Sequence, residues 1–234
     1  MAAYKLCAEL LPPGRVLDLG CGVGHSYRLL EPRETVGVDI DASALAGQER
    51  ETVVADMRSL PIEDGSFASV LCVQAIEHVP DADPLLREAA RVLEPGGVAV
   101  FVTPNRLTFA SPDEIVDPYH YREYDAAELR ELVRPHFDGV ELLGIFGSPR
   151  YLAQVEAERA KLRALLRRDP LRLRRLVPRR ARQRLYDWKL TRERSRPLPG
   201  AGSIEPGDFH LRDSGLEHAL DLVAVCRASG SGAA

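Results

Sequence analysis

The chain has 234 residues, of which 45% are hydrophobic and 28% are charged, and its formal net charge is −4. This composition is ordinary for a soluble protein, and the length fits one α/β domain with an insertion. No apolar stretch approaches the roughly 18 residues that a membrane span needs, which excludes an integral membrane helix. Residues 1–11 lack a basic leader, an apolar core and a cleavage site. We therefore expect a short N-terminal helix and a cytoplasmic protein.

Charge is distributed unevenly along the sequence. Between Pro149 and Gly200 there are 17 Lys or Arg against 5 Asp or Glu, so the remainder holds 14 basic and 30 acidic residues. Such segregation predicts an anionic partner for the basic segment, or a solvated helical face. The four cysteines, at positions 7, 21, 72 and 226, have no metal-ligand spacing, and we expect buried free thiols.

The first chemical signal is an apolar strand followed by closely spaced glycines. The run Val16–Leu19 has the composition of a buried parallel strand. Glycines at spacing two then permit a tight turn and a close approach to a ligand; these are Gly20, Gly22 and Gly24. His25–Leu30 is predicted to begin a helix whose N-terminus faces the same ligand. The dinucleotide fingerprint is excluded because its third glycine position is occupied by His25.

Two further predicted strands each end at an acidic residue. The strand Thr35–Ile40 contains Asp39, 19 residues after Gly20, close to the offset at which a carboxylate binds ribose hydroxyls. The strand Glu51–Ala55 is followed directly by Asp56 and Met57. Carboxyl ends of parallel strands share one edge of a sheet, so these acids are expected to lie near the glycine turn.

The remaining elements continue the alternation of strand and helix. Predicted strands are Phe67–Val73, Val98–Val102 and Val140–Phe146, with a helix opened by Asp83-Pro84 and another capped by Asp125. A polar and aromatic loop, 106–124, leaves the carboxyl end of the fifth strand. Apolar residues recur at helical spacing beyond Pro149, which predicts helices in the basic segment.

This series of landmarks resembles the class I S-adenosylmethionine (SAM) methyltransferases over roughly residues 10–148. Asp18 stands two residues before the first glycine, and the third glycine is at the fifth position, as in the first motif of that family. The resemblance implies SAM as cofactor, with Asp56 accepting from the adenine amino group and Met57 packing on the ring. The cofactor-binding residues it implies are Asp18, Gly20, Cys21, Gly22, Gly24, Asp39, Ile40, Asp56, Met57 and Gln74.

The resemblance also implies a doubly wound, Rossmann-like sheet of seven strands, the seventh antiparallel. We expect that strand at His218–Cys226. The core is then 1–148 plus 213–228, with a basic helical insertion at 149–212 and a disordered tail at 229–234. An insertion after the sixth strand emerges at the ligand-binding edge, so we expect a lid or acceptor-binding cap.

Methyl transfer from a sulfonium mainly requires that acceptor and methyl be positioned and that the acceptor lose a proton. His78, after the fourth strand, is the first candidate base, His120 in the following loop is the second, and Glu77 is a third catalytic candidate. The Asn/Asp-Pro-Pro-aromatic tetrad of amine methyltransferases is replaced here by residues 73–76, Val-Gln-Ala-Ile, which favours oxygen as the acceptor atom.

Two closer resemblances bear on the acceptor. The series Gln74, Glu77, His78 is similar to the ubiquinone-type O-methyltransferases, where two acids and the histidine can hold a divalent metal. Gln74 replaces the first acid, and an amide is a poorer ligand for a hard cation, so no metal is predicted. The stretches 103–109, 117–123 and 220–225 resemble bacterial methyltransferases linked to methylglucose lipopolysaccharides, which implies a sugar hydroxyl.

The leading hypothesis is a SAM-dependent O-methyltransferase for a small-molecule, saccharide or glycolipid-type acceptor. Arginines of the insertion would then bind a phosphate on that acceptor. Alternatives are a tRNA methyltransferase that uses the basic segment, a quinone or phenol O-methyltransferase, and a non-catalytic module that retains the cofactor fold. Docking of the basic segment on anionic lipid is a further hypothesis.

Overall fold

The structure is a computed structural model. It describes residues 1–109, 117–153 and 206–230, together with the single residues 156, 160, 178, 181 and 183. Most of the predicted insertion, with its second and third helices, lies outside the described residues, as does most of the tail predicted to be disordered. Residues 149–153 are helical, which agrees with the predicted start of the first insertion helix.

The described residues form one mixed sheet of eight strands, in the order β3-β2-β1-β4-β5-β8-β6-β7. Neighbours from β3 through β5 pair in parallel, and β8 runs antiparallel between β5 and β6. The strands are β1 Val16–Leu19, β2 Thr35–Asp39, β3 Glu51–Val54, β4 Phe67–Val73, β5 Leu93–Pro104, β6 Gly139–Gly147, β7 Phe209–Arg212 and β8 Asp221–Arg227.

The predicted count of seven strands is wrong by one edge strand. Phe209–Arg212, which the prediction placed in the insertion, pairs antiparallel with Gly144–Gly147 at the end of β6. Four alternating residues are a weak strand signal, and only the distant partner strand makes them pair. The antiparallel strand inside the sheet is present as predicted, shifted to Asp221–Arg227 because residues 216–218 form a 3₁₀ turn.

Outside the insertion, the described residues form five α-helices that flank the sheet or connect its strands: α1 Ala2–Ala8, α2 Ala42–Leu45, α3 Asp83–Val92, α4 Arg106–Phe109 and α5 Ala126–Val133. The cap predicted for the helix after Asp125 forms, and α2 has a side-chain cap as well. Asp41 accepts from the Ser43 amide at α2, and Asp125 with Glu128 makes a complete capping box at α5.

The helix predicted over His25–Leu30 is wrong. This segment forms only a 3₁₀ turn at Tyr27–Leu30. Pro32 forces the preceding Glu31 into an extended conformation, with ψ at 144°, so the turn cannot propagate into an α-helix. The segment directly after the glycine turn therefore has no α-helix N-terminus that could face a ligand.

Apolar side chains cover both faces of the sheet. The larger core includes the buried faces of α3 and α5 packed against β1, β4, β5 and β8. The smaller core lies on the opposite face and includes Cys7 and Leu11 near α1. The prediction of free thiols is confirmed, because all four cysteines are buried and unbridged. Among the described residues, no helix has the length and apolarity to cross a membrane.

Candidate active site

The glycine bend, Gly20–Gly24, lies against the loops that follow β3 and β4. Gly20 has φ +67°, and a Cβ there would lie 2.5 Å from the Ala75 Cβ and 3.3 Å from the Met57 Cε. Only glycine accepts both this backbone conformation and this proximity. The carboxyl ends of β1, β3 and β4 thus meet at one point of the sheet edge, as the sequence predicted.

Asp39 points toward the glycine bend. Its Oδ2 accepts from the Gly22 amide at 2.8 Å, and its Oδ1 accepts from the Asp41 amide at 2.9 Å. Ile40 beside it is 70% exposed, which is unusual for so large an apolar side chain. The carboxylate predicted to bind ribose and an adjacent apolar surface therefore lie together beside the bend.

Asp18 lies beneath the bend in a buried ion pair. Arg50 Nη2 donates to Asp18 Oδ2 at 2.8 Å, and the Tyr4 hydroxyl donates to Asp18 Oδ1 at 2.8 Å. The two charged side chains are 4% and 1% exposed. Burial raises the pKa of Asp18, whereas Arg50 and Tyr4 act to lower it. The network fixes the acid that precedes the glycines.

Gln48 and Arg50 are site residues that sequence reasoning missed. Gln48 Nε2 donates to the Gly22 carbonyl at 2.8 Å, and its Oε1 accepts from Arg50 Nε at 2.9 Å. Both residues belong to the connection before β3, which carries no recognisable motif. Nothing in the local sequence pairs Arg50 with an acid 32 positions away, so only the fold brings them together.

Asp56 and Met57 follow β3 as predicted and have different surroundings. Met57 packs over Gly20, where an adenine ring would find an apolar contact. Asp56 is hydrogen-bonded through both carboxylate oxygens to the Arg58 side chain, which lowers the pKa of Asp56. An adenine amino group would therefore share this carboxylate with Arg58.

Gln74, at the carboxyl end of β4, has a strained backbone. Its φ of +54° is the only positive value among the non-glycine residues that the structure describes. The backbone N–H of Gln74 donates to the Val102 carbonyl at 2.8 Å, and the side-chain Nε2 of Gln74 donates to Asp221 Oδ1 at 3.0 Å. Burial raises the pKa of Asp221 to about 6, against the lowering effect of this hydrogen bond. Asp221 is a third residue near the site that sequence reasoning missed.

Glu77 is fully buried in the 3₁₀ turn Ile76–His78. Its Oε2 accepts from the Thr103 hydroxyl at 3.0 Å, whereas Oε1 has no hydrogen-bond partner within the described ranges. Burial raises the pKa of Glu77 to about 7. An unsatisfied buried carboxylate oxygen is costly and is typical of functional sites.

The two predicted histidines lie side by side next to Glu77. The ring centroids of His78 and His120 are 5.0 Å apart, and the rings meet edge to face with an interplanar angle of 64°. His120 is 8% exposed, and its Nδ1 is 2.9 Å from Glu123 Oε1. Burial alone lowers the pKa of His120, but the Glu123 hydrogen bond and the Asp117 and Glu77 carboxylates outweigh it and raise the pKa.

His78 is more accessible than His120. Its Nδ1 lies 3.2 Å from the Tyr119 carbonyl, which favours the tautomer that carries hydrogen on Nδ1. The lone pair is then on Nε2. The structure thus brings together the three residues that the sequence proposed for catalysis.

The loop that carries His120 has aromatic side chains at its surface. Phe109 packs 5.3 Å from the His120 ring and is 36% exposed, and Tyr119 and Tyr121 are 36% and 47% exposed. Gln183, in the predicted insertion, donates from Nε2 to the Pro118 carbonyl at 3.4 Å. This contact places one described residue of the insertion against the loop beside the histidine cluster.

Comparison with known proteins agrees with this fold. Residues 17–101 match the family model described as a methyltransferase domain. A "Probable S-adenosylmethionine-dependent methyltransferase" of Mycolicibacterium smegmatis is 36% identical over 152 residues, which are 61% of this chain and 59% of that protein. The ubiquinone biosynthesis O-methyltransferase of Xanthomonas campestris pv. campestris is 36% identical over 122 residues, 46% of this chain and 50% of that protein.

The fold is also that of solved methyltransferase structures. A SAM-dependent methyltransferase structure from Thermotoga maritima superposes with a TM-score of 0.64 at 17% identity, covering 97% of this chain and 89% of that one. The fold is therefore the Rossmann-like fold of class I methyltransferase structures. The predicted resemblance to SAM-dependent methyltransferases, ubiquinone O-methyltransferases among them, is confirmed. The chain spans about three fifths of the mycobacterial relative and half of the Xanthomonas relative.

Proposed function

We propose that this protein is a SAM-dependent O-methyltransferase whose acceptor is a hydroxyl of a saccharide or glycolipid-type molecule. The observation that carries the proposal is the meeting of two half-sites at one sheet edge. The glycine bend with Asp39 is suited to a ribose, and the cluster of Glu77, His78 and His120 lies just beyond the neighbouring strand. Ala75, two residues before Glu77, contacts the Gly20 position and so joins the halves.

In the proposed complex, SAM occupies the space between the glycine bend and the ends of β2, β3 and β4. Asp39 accepts from the ribose hydroxyls, Ile40 and Met57 contact the adenine ring, and Asp56 accepts from its amino group. Asp18, Gly20, Cys21, Gly22, Gly24 and Gln74 form the remaining walls. SAM supplies an activated methyl group, so these residues need only bind and orient it.

The proton of the acceptor hydroxyl is the second requirement. We propose His78 as the base, because it is accessible and its favoured tautomer has the lone pair on Nε2. His120 is the weaker candidate, because nearby carboxylates favour its protonated form. Glu77 and His120 then hold the acceptor oxygen near the methyl group.

A saccharide acceptor is favoured by the surface beside the cluster. Phe109, Tyr119 and Tyr121 offer partly exposed rings on which the apolar face of a sugar can stack. The basic insertion, taken as residues 149–212, is proposed as a cap whose arginines bind a phosphate of the acceptor. The Gln183 contact with the loop at Pro118 supports this placement.

The proposal is tested by calorimetry with SAM and by methyl transfer to sugar, quinone-precursor and RNA acceptors assayed side by side. Asp39→Ala should weaken SAM binding at least 10-fold, because a ribose contact is lost. His78→Ala should reduce turnover about 10²-fold or more with SAM affinity retained, the usual scale of general-base catalysis. Asp138→Ala, remote from the bend, is the matched control. Absence of SAM binding would refute the proposal and favour a non-catalytic module.

A further inference from the structure

Asp221, the first residue of β8, lies at the same edge of the sheet as the glycine bend. In the register of the sheet it pairs with Pro104 at the carboxyl end of β5 and with Ile145 of β6. The side chain of Gln74, at the end of β4, extends past β5 and donates to Asp221 Oδ1 at 3.0 Å. Both residues are half-buried, so they remain accessible to a ligand at this edge.

Within the described ranges, the Asp221 carboxylate has no basic side chain as a counter-ion. Burial raises its pKa to about 6, and the Gln74 hydrogen bond acts in the opposite direction. Asp18 differs, because Arg50 neutralises it at 2.8 Å. A partly buried carboxylate that is ionised without a counter-ion lowers stability, and a cationic ligand would offset this cost.

The strained backbone of Gln74 is a second cost at the same point. Its φ of +54° is unfavourable for a residue with a Cβ, and its side chain holds Asp221. The charge of Asp221 also acts on the cluster that follows β4, because it contributes to the raised pKa of Glu77. Backbone strain and an uncompensated charge that occur together are typical of a functional site.

We propose that Asp221 is a specificity-determining residue that favours the positively charged SAM over the neutral product of methyl transfer. The inference rests on the proposed function. When the bond between sulfur and the methyl carbon breaks, its electron pair stays on sulfur, and the sulfonium becomes the neutral thioether of S-adenosylhomocysteine. An ionised carboxylate attracts the sulfonium and loses that attraction in the product.

The attraction affects binding and product release rather than the chemical step. Positive charge leaves the sulfur in the transition state, so an interaction with the sulfonium strengthens SAM binding without accelerating methyl transfer. Removal of the Asp221 charge should therefore raise KM for SAM and strengthen inhibition by the product relative to SAM. It should not lower the rate of a single turnover.

The test compares wild type with Asp221→Asn at pH 8, where the carboxylate is ionised. Asparagine has nearly the same shape and still accepts from Gln74, so only the charge is removed. Calorimetry measures binding of SAM, of S-adenosylhomocysteine and of sinefungin, which carries a protonated amine in place of the sulfonium. Asp221→Asn should weaken SAM and sinefungin binding about 10-fold, the scale of one partly screened charge–charge interaction, and leave S-adenosylhomocysteine binding unchanged.

Glu141→Gln is the matched control. It removes the same charge from an exposed position on β6, opposite Val225 in the body of β8. Because water screens a charge at this position, the variant should change none of the three affinities. Circular dichroism verifies that both variants fold.

The inference is overturned if Asp221→Asn weakens all three ligands equally, as a purely structural role would, or weakens none of them. Either result leaves the proposed function standing, because wild type still binds SAM. Failure of the wild-type protein to bind SAM would refute the proposed function, and the inference with it.

Discussion

The buried ion pair between Asp18 and Arg50 provides a quantitative test of how the glycine bend is supported. Arg50→Met keeps most of the side-chain volume and removes the cation. At 2.8 Å and an effective dielectric constant of 20, the lost attraction is about 6 kcal/mol before solvation is considered. Asp18 is 1% exposed and would remain as an uncompensated charge. We expect a loss of roughly 3–5 kcal/mol in the free energy of unfolding at pH 7.

The assay is equilibrium unfolding in urea, in which wild type and Arg50→Met are compared with the double variant Asp18→Asn plus Arg50→Met. Removing both charges should recover most of the loss, because replacing a buried pair by neutral groups is often close to neutral. The loss should also shrink toward acidic pH, since burial raises the pKa of Asp18 and Arg50 opposes that rise.

Arg28→Met is the matched control. Arg28 forms an ion pair with Glu49 near the same loop, but its side chain is 63% exposed, so its removal should leave the free energy of unfolding nearly unchanged. The reasoning is refuted if Arg50→Met is within 1 kcal/mol of wild type. It is also refuted if the double variant is no more stable than the single one.

Two further predictions concern single carboxylates. Asp125→Ala removes the capping box of α5 and should lower stability by about 1 kcal/mol in urea unfolding, whereas Asp213→Ala, which caps no helix, should not. Burial raises the pKa of Asp221 from 3.8 to about 6, so its ionised form costs stability above pH 6, and that cost disappears below pH 4. Asp221→Asn should therefore be more stable than wild type by up to about 3 kcal/mol at pH 8 and equal to it at pH 4. An equal gain in stability at both pH values would contradict the raised pKa of Asp221.

The sequence was most informative where a residue type follows from local backbone requirements. The glycine bend, the acid at position 39 and the cap at Asp125 were predicted because turn geometry, ligand chemistry and helix capping each restrict the residue within a few positions. The buried strands were predicted for the same kind of reason, since continuous apolar runs are required in a parallel sheet covered on both faces.

Local patterns were misleading at the edges of the fold. His25–Leu30 has no residue that forbids a helix, yet Pro32 beyond it limits the segment to one 3₁₀ turn. Phe209–Arg212 is too short to indicate a strand without its partner in β6. In both cases the outcome depended on a neighbour that a local pattern does not include.

The amino-acid sequence by itself determined seven of the eight described strands, the edge at which the cofactor is proposed to bind and the side chains proposed for catalysis, because these depend on periodicity and short spacings. Only the tertiary structure decided that Arg50 neutralises Asp18, that Asp221 is hydrogen-bonded to a strained Gln74, and that His120 lies beside Glu77 and His78. Asp18 and Arg50 are 32 positions apart, and Gln74 and Asp221 are 147 positions apart. The two histidines come from separate loops. Electrostatic and hydrogen-bond partners at such separations are selected by the folded backbone, and no local pattern in the chain encodes them.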